Sequence, residues 1–173
     1  MIKLEPLAGH HNRRRFDCGI EPLNAWLSQT ALQHQGKGIS RTFVANAADE
    51  LCDEQYQKSG YTDIDCASIL GYYALAAAVV MIDDLPPEFS KRYPRQIPVT
   101  RLGRLAIRTD LQGQGLGKIL LMDAIVRTRH AAQAVGSAGL MVDAKGDDAA
   151  RFYQHYGFRT CADQPLTLFL SIW

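Results

Sequence analysis

The most constraining feature of the sequence is a glycine-rich segment at residues 112–117 (QGQGLG), between a predicted strand and a long predicted helix. Its three alternating glycines let backbone N–H groups approach a ligand closely, and the N-terminus of the following helix adds donors and the positive end of its dipole. The segment therefore predicts a diphosphate site. Its glycines, at 113, 115 and 117, do not fit a Rossmann pattern, and no Gly-Lys-Ser/Thr follows as in a Walker A loop.

The elements around this segment alternate strands with helices. They are predicted as a strand at 99–107, a helix at 115–134, a short buried strand at 140–142 and a helix at 147–156, with one or two closing strands from residue 158. Gly157 stands where a helix C-terminus favours a left-handed residue. Two successive strand–helix units favour a mixed α/β sheet with a parallel segment.

The N-terminal half is predicted to hold a short edge strand at 2–4, a helix at 21–33 and strands at 42–45 and within 69–80. In the helix, Leu23, Trp26, Leu27 and Ala31 recur at helical spacing, so we expect that face to lie in the core. The acidic stretch 46–68 is predicted as a long hairpin connection. Together these elements predict one domain over residues 1–173.

Composition limits the class of protein. A chain of 173 residues with 47% hydrophobic and 21% charged residues is ordinary for one globular domain. The longest apolar run, 74–82, is far short of the ~20 residues that span a bilayer, and residues 1–6 lack the apolar stretch of a signal peptide. We therefore expect a cytoplasmic protein with no membrane segment. The four cysteines form no CxxC pair and the histidines lack metal-ligand spacing, so we expect free thiols and no metal.

Three motifs occur in order along the C-terminal half. Gln112, Gly115 and Gly117 fit the pattern Gln/Arg-x-x-Gly-x-Gly/Ala, residues 102–107 (LGRLAI) precede it, and residues 149–158 (AARFYQHYGF) follow as A-x-x-F-Y-x-x-x-G-F. On these motifs the chain resembles the GNAT acetyltransferase superfamily, in which they are the acyl-CoA loop, the fourth strand and a helix-to-strand signature. The resemblance implies a single GNAT-like α/β domain whose mixed central β-sheet is splayed at the acetyl-CoA site and flanked by helices.

Further segments extend the resemblance over nearly the whole chain, except for the acidic stretch 48–65. They are FDCG at 16–19, LNAWL at 23–27, SRTFV at 40–44, GYYAL at 71–75 and GLMVDA at 139–144. They resemble the GNAT-type toxins of bacterial toxin–antitoxin modules. The resemblance implies acetylation of the α-amino group of aminoacyl-tRNA, which blocks translation. It also implies a homodimer and a ribbon-helix-helix antitoxin.

Acetyl transfer needs a place for acetyl-CoA, a donor for the oxyanion and a proton for the departing thiolate. The predicted cofactor-binding residues are Leu105, Ala106, Ile107, Gln112, Gly113, Gln114, Gly115, Leu116, Gly117 and Lys118. Amides of the loop and helix start would hold the diphosphate, with Lys118 as a candidate phosphate contact. Backbone N–H groups at 105–107 are the candidate oxyanion donors.

By resemblance, the hydroxyl of Tyr153 protonates the leaving thiolate. A phenol with a pKa of ~10 stays protonated at neutral pH and can protonate a thiolate with a pKa of ~8–9 at modest cost. Residues 102–107 contain no acid to act as a general base, and either a water relay or Asp143 is left open. An α-amino group, with a pKa of ~7.7–8.0, is partly neutral already, so the missing base favours an aminoacyl-tRNA over a lysine side chain.

The net charge of +1 conceals an uneven distribution. Residues 1–45 hold six Lys and Arg against three Asp and Glu, residues 91–129 hold nine against two, and residues 48–65 hold six acids against one lysine. The basic stretches indicate a positive face for CoA phosphates or nucleic acid, although solvated arginines would give the same counts. The candidate tRNA contacts are Arg13, Arg14, Arg15, Lys91, Arg92, Arg95, Arg104 and Arg108.

Two other functions fit part of this pattern. An N-acetyltransferase for a protein N-terminus or a small amine would use the same donor site but would not be toxic. A CoA-binding regulatory protein without turnover is a third class, against which Gln112, Gly115, Gly117 and Tyr153 argue. The sequence does not identify the tRNA or the amino acid.

Overall fold

The computed structural model describes residues 2–173, apart from the side chains of residues 50 and 51. The strands are β1 (Ile2–Pro6), β2 (Arg41–Ala47), β3 (Gly71–Met81), β4 (Gln96–Ile107), β5 (Gly139–Asp143), β6 (Arg159–Cys161) and β7 (Gln164–Ser171). The helices are α1 (Glu21–Gln29), α2 (Ala31–Gly36), α3 (Glu50–Lys58), α4 (Leu116–Val135) and α5 (Asp147–His155). Short 3₁₀ turns at Ile82–Asp84 and Pro87–Phe89 follow β3, and a third at Thr109–Leu111 follows β4.

One mixed sheet contains all seven strands, in the order β1-β2-β3-β4-β5-β7-β6. Strand β1 pairs antiparallel with β2 at the edge, and β5 pairs antiparallel with β7. Between them, β4 and β5 run parallel, with Thr100 opposite Leu140 and Leu102 opposite Val142. Strand β4 then continues to Ile107, whereas β5 ends at Asp143. The sheet is therefore open at this point, and the predicted mixed, splayed α/β sheet is confirmed.

The chain divides into two compact units, of which the first contains Met1–Ala74 and Arg104–Asp123. Its core includes Phe16, Leu27, Val44 and Tyr72, all at most 4% exposed. The Tyr72 hydroxyl donates a hydrogen bond to the carbonyl oxygen of Leu23 at 2.8 Å, so this buried phenol has a partner. Leu23, Trp26, Leu27 and Ala31 are all buried, which confirms the predicted core face of the helix.

The second unit contains Leu75–Gly103 and Ala124–Trp173. Its core includes Val80, Ile97, Met141 and Phe169. Gly139 on β5 allows close packing there, because a Cβ at this position would lie 2.2 Å from the carbonyl oxygen of Leu170. Gly157, with φ of +94°, follows α5 in the left-handed conformation that the sequence predicts.

The predicted helix at 21–33 is wrong in its length, because Thr30 interrupts it. The backbone of Thr30 leaves the helical region (φ −124°, ψ −38°), so α1 ends at Gln29 and α2 begins at Ala31. The reoriented α2 lets the Gln35 side chain donate to the carbonyl oxygen of Leu7 at 2.7 Å and accept from the amide of Thr42 at 3.1 Å. Such tertiary contacts override the helical pattern of the sequence.

The predicted hairpin connection at 46–68 is also wrong, because the acidic stretch contains α3. Asp49 caps this helix, since its side chain accepts from the amide of Cys52 at 3.0 Å. Cys52 is 4% exposed, so the helix is packed on one side. The stretch is therefore an ordered part of the first unit.

The four cysteines are free thiols, as predicted, and only Cys66 among them is exposed. Within the described range 2–173, no helix combines the length and apolar character needed to cross a membrane.

Candidate functional site

Gln112 anchors the glycine-rich loop at the end of β4. Its side-chain amide donates to the carbonyl oxygen of Ile107 at 3.0 Å and to that of Cys18 at 3.1 Å. Gly113 and Gly115 have φ angles of +77° and +86°, and a Cβ at either position would meet no atom within 4 Å. Glycine is therefore needed here for backbone conformation rather than for space inside the protein.

The loop runs directly into α4. The amide of Ile119 donates to the carbonyl oxygen of Gly115 at 3.3 Å, so the amides of Leu116, Gly117 and Lys118 precede the first helical hydrogen bond. These N–H groups and the positive end of the helix dipole lie at the same place. The Lys118 side chain is exposed at this helix start. The arrangement suits a diphosphate.

An open cavity of about 150 Å³ adjoins the loop in the first unit. It is lined by Cys18, Ile20, Leu23, Leu105, Ala106, Ile107 and Gln112. The structure thus brings the three predicted residues of β4 together with the first residue of the loop motif. Because the lining is mainly apolar, the cavity suits an acyl group and its alkyl-amide tether.

Arg108 follows β4 and is held by two carboxylates. Its guanidinium donates to Asp110 at 2.6 and 3.0 Å and to Asp63 at 3.2 Å, and its side chain is only 12% exposed. Burial tends to lower the pKa of Arg108, but the hydrogen bonds and negative charges of Asp110 and Asp63 outweigh it and raise the pKa. This guanidinium is therefore already neutralised, and the geometry gives no support to a phosphate contact at Arg108.

Tyr61 and Asp63 are functional candidates that sequence reasoning missed. The Tyr61 hydroxyl donates to the carbonyl oxygen of Asp110 at 3.3 Å and accepts from the side-chain amide of Gln114 at 3.2 Å. Both residues belong to the acidic stretch, which resembled nothing in the family. They are 45 to 53 residues from their partners, so no local sequence pattern could have connected them.

Arg104 lies against an aromatic side chain. Its guanidinium carbon is 4.1 Å from the ring centroid of Trp26, which in turn stacks on Tyr72 at 6.1 Å. Burial lowers the pKa of Arg104, and the ring face offsets part of the desolvation cost. Arg104 thus presents a fixed cation next to Leu105, in contrast to the neutralised Arg108.

The second unit holds Tyr153, on the buried side of α5. Its ring lies between Phe152 and Phe158, with centroids 5.2 and 5.4 Å away, and the residue is 7% exposed. Burial raises the pKa of Tyr153 to about 12. The phenol is therefore protonated at every pH at which the protein would work.

Asp143, the candidate base, is also in the second unit. Arg101 donates to one of its carboxylate oxygens at 2.6 Å, and the Thr167 hydroxyl donates to the other at 2.8 Å. Both residues line, with Asp143, Asp84 and Gln164, a cavity of about 320 Å³. Since both oxygens are engaged, the geometry does not favour Asp143 as a proton acceptor.

The remaining basic candidates form two sequence clusters, one in each unit. In the first unit, Arg14 and Arg15 are exposed, and the guanidinium of Arg13 approaches the carbonyl oxygen of Ser28 at 3.5 Å. In the second, the exposed cations are Lys91, Arg92 and Arg95, and the Arg92 guanidinium lies 5.6 Å from the ring centroid of Tyr93.

His11 is a structural histidine. Its Nδ1 accepts from the amide of Ala8 at 2.9 Å, which assigns the proton to Nε2, and Nε2 faces the Glu5 carboxylate at 2.9 Å. Burial tends to raise the pKa of Glu5, but hydrogen bonds from Lys3, His11 and Asn46 lower it to about 2. Glu5, His10 and His11 lie close enough for their ligand atoms to share an ion, yet protein hydrogen bonds already occupy both nitrogens of His11.

The loop, the cavity beside β4 and the open mixed sheet define an acyl-CoA-dependent transferase. Residues 71–160, just over half of the chain, match the acetyltransferase (GNAT) domain family. The chain belongs to the GNAT acetyltransferase family, and it is an acetyl-CoA-dependent acetyltransferase, as the sequence predicts.

Several relatives within this family are toxins. The tRNA-acetylating toxin of Mycobacterium tuberculosis (strain ATCC 25618 / H37Rv) is 34% identical over 155 residues, which cover 90% of this chain and 82% of the relative. The solved structure of AtaT complexed with acetyl-methionyl-tRNAfMet has a TM-score of 0.84 and 30% identity, and the match covers 99% of this chain and 95% of AtaT.

A tyrosine-to-phenylalanine mutant of AtaT has been solved with the C-terminus of the antitoxin AtaR and acetyl-CoA. It has a TM-score of 0.76 and 28% identity, with 99% of this chain and 93% of that chain covered. The predicted resemblance, to the superfamily and to its toxin branch, is confirmed.

Proposed function

We propose that this chain is a toxin that transfers the acetyl group of acetyl-CoA to the α-amino group of aminoacyl-tRNA and thereby blocks translation. The observation that carries the proposal is the cavity in which Leu105, Ala106 and Ile107 meet Gln112, directly before the exposed amides of the loop. The 34% identity to a tRNA-acetylating toxin supports the tRNA substrate.

Acetyl-CoA supplies the acetyl group as a thioester, and the residues of the first unit fit its parts. The amides of Gly113, Gly115, Gly117 and Lys118 would bind the diphosphate, with the positive end of α4 behind them. The apolar cavity beside β4 would take the pantetheine and acetyl groups. Backbone N–H groups at 105–107 would donate to the carbonyl oxygen as negative charge develops on it.

Two protons must move in the reaction. The neutral amine attacks the acetyl carbon and loses a proton, and the C–S bond breaks to release a thiolate that gains one. We assign the second proton to Tyr153, whose phenol is protonated throughout the working range. The α-amine needs no base before it attacks, because part of it is neutral at pH 7. The proton that the nitrogen loses after attack passes to solvent, and Tyr153 regains a proton from solvent after the thiol has formed.

The tRNA would be held mainly through its phosphates. The proposed backbone contacts are the exposed cations Arg14, Arg15, Lys91, Arg92 and Arg95, together with the half-buried Arg13. Arg104, fixed on Trp26 beside the acetyl cavity, is the proposed contact for the acceptor end. Arg108 is the weakest of the sequence candidates, because its charge is already neutralised.

We further propose that residues 1–173 act as one acetyltransferase domain in the cytoplasm, as a homodimer that a ribbon-helix-helix antitoxin neutralises. The AtaT structure with the antitoxin AtaR supports an antitoxin partner. The dimer and the antitoxin class rest on the sequence resemblance.

The test is to incubate the purified protein with labelled acetyl-CoA and total charged tRNA, alongside uncharged tRNA. Label should appear on charged tRNA alone. Because general-acid catalysis contributes about 10²–10⁴-fold, Tyr153→Phe should slow the reaction by about that factor. Tyr156→Phe, which removes a hydroxyl from the end of the same helix region, should retain activity.

Acetylation of peptides or polyamines without label on tRNA would contradict the proposal and leave a general N-acetyltransferase. Equal activity of the Tyr153→Phe and wild-type proteins would remove Tyr153 from the mechanism while leaving the substrate assignment intact.

A further inference from the structure

The acidic stretch between β2 and β3 contacts the glycine-rich loop and the turn that precedes it. Two of its side chains make these contacts, Asp63 with Arg108 and Tyr61 with both Asp110 and Gln114. All of these residues belong to the first unit. The stretch therefore holds the loop and its preceding turn through side-chain hydrogen bonds of Tyr61 and the ion pair between Asp63 and Arg108.

The contact at Asp63 is a shared ion pair. Arg108 makes two hydrogen bonds to Asp110, and its Nη2 also approaches both Asp63 oxygens, at 3.2 and 3.4 Å. Because the Arg108 side chain is only 12% exposed, water compensates poorly for a lost carboxylate. Asp63 thus restrains Arg108, and through it the turn that leads into the loop.

The contact at Tyr61 reaches the loop itself. Its hydroxyl donates to the backbone carbonyl of Asp110 and accepts from the side chain of Gln114, the residue between the two left-handed glycines. Gln114 also approaches the Asp110 carbonyl at 3.5 Å. A single phenol therefore connects the turn before the loop with the middle of the loop.

We propose that Asp63 and Tyr61 are positioning residues for acetyl-CoA. They hold the backbone from Asp110 to Gly115 in the conformation that binds the diphosphate, an inference that rests on the function proposed for the loop. A loop that is ordered before binding loses less conformational entropy when the ligand arrives. Neither side chain contacts the apolar cavity beside β4, so the effect belongs to binding and not to the chemical step.

The experiment compares Asp63→Asn and Tyr61→Phe with the wild-type protein. The dissociation constant for acetyl-CoA is measured by calorimetry, and kcat and KM are measured at saturating charged tRNA. We expect each substitution to raise the dissociation constant and KM about tenfold, as for loss of a hydrogen bond to a charged group or a network member, with kcat within about twofold. Asp63→Glu should restore much of the affinity.

The matched control is Glu54→Gln, which removes one negative charge from an exposed position of the same stretch. It should leave both constants unchanged, which separates positioning from a general charge effect. Circular dichroism and thermal melting of each variant exclude unfolding as the cause.

A third variant, Gly115→Val, distinguishes the two proposals. Normal acetyl-CoA binding in Gly115→Val would contradict the function proposed for the loop, and the inference would fall with it. Loss of binding in Gly115→Val together with wild-type constants in both Asp63→Asn and Tyr61→Phe would overturn the inference alone.

Discussion

The phenol of Tyr153 has aromatic rings on two sides, and this environment acts on its chemistry in two ways. Burial raises its pKa to about 12, above the ~10 expected for an exposed tyrosine. The proton is therefore always present, but its transfer to a thiolate with a pKa of ~8–9 is more uphill than the sequence alone indicates. In the proposed mechanism, proton transfer from Tyr153 is therefore coupled to breaking of the C–S bond.

This environment predicts the shape of the pH profile. Single-turnover rates with charged tRNA should rise with pH as the α-amine loses its proton, and then stay level to about pH 9.5. Because a raised tyrosine pKa keeps the acid form complete below about pH 11, no descending limb is expected in this range. A wild-type descending limb with a midpoint below pH 9.5 that is absent from Tyr153→Phe would contradict the raised pKa of Tyr153, and one that persists in Tyr153→Phe would assign the acid to another group.

At this scale the sequence predicted a loop whose glycines allow a ligand to approach the backbone. The structure gives Gly113 and Gly115 left-handed angles and open space beside them, and Gln112 donates to the carbonyl oxygen of Ile107 at the end of the preceding strand. The sequence did not predict a role for Tyr61 or Asp63, because the residues around them have the composition of a solvated acidic loop. Their partners become visible only when chain segments some 45 residues apart are brought together.

Strand β5 shows how an element depends on one small residue. It is five residues long and pairs with β4 on one side and β7 on the other. A Cβ at Gly139 would lie 2.2 Å from the carbonyl oxygen of Leu170 and 2.6 Å from the ring of Phe169. Neither the backbone of β7 nor a fully buried phenylalanine ring can move far enough without separating the strands.

Gly139→Ala should therefore lower the free energy of unfolding by about 3 kcal/mol, the upper end of the range for overpacking. Urea titration followed by circular dichroism measures the change. Gly103→Ala on the neighbouring strand is the control, because a Cβ there meets nothing within 4 Å. Similar unfolding midpoints for the two variants would show that β5 and β7 adapt to the added methyl group.

The sequence predicted the strands and the C-terminal helices well, since alternation and glycine positions are local signals. It failed where distant contacts decide the backbone. Thr30 interrupts the predicted helix but not its buried apolar face, and α2 turns so that Gln35 bonds to both Leu7 and Thr42. Helix α3 was missed because its composition is acidic and polar, so little apolar periodicity marks it, although Asp49 is a recognisable cap.

Over the whole molecule, a net charge of +1 cannot attract tRNA by itself, so binding must depend on where the cations lie. Several arginines are unsuited to this role because carboxylates pair with them, as at Arg151 with Asp148 and Arg159 with Glu88. Arg14 and Arg15 are exposed cations in the basic N-terminal stretch. We therefore expect the exposed Arg14 and Arg15 to contribute to tRNA binding and the paired Arg151 and Arg159 not to contribute.

The double variant Arg14→Ala/Arg15→Ala should weaken tRNA binding and its dependence on salt. Each phosphate contact contributes about 0.7–0.9 to the slope of log affinity against log salt, so the slope should fall by about 1.4–1.8. Fluorescence anisotropy with labelled tRNA at several salt concentrations measures it. Arg151→Ala/Arg159→Ala removes the same formal charge from paired positions, and an equal fall in its slope would refute a local contact.

The ion pair between Arg108 and Asp63 restricts how the sequence of this protein can evolve. The stretch between β2 and β3 lies outside residues 71–160, which match the family, and we expect it to tolerate insertions and deletions as a surface connection does. Its shortening would remove Asp63 and Tyr61 in a single event and leave a largely enclosed guanidinium with only Asp110 beside it. We therefore expect relatives with a shortened stretch to carry a residue other than arginine at position 108.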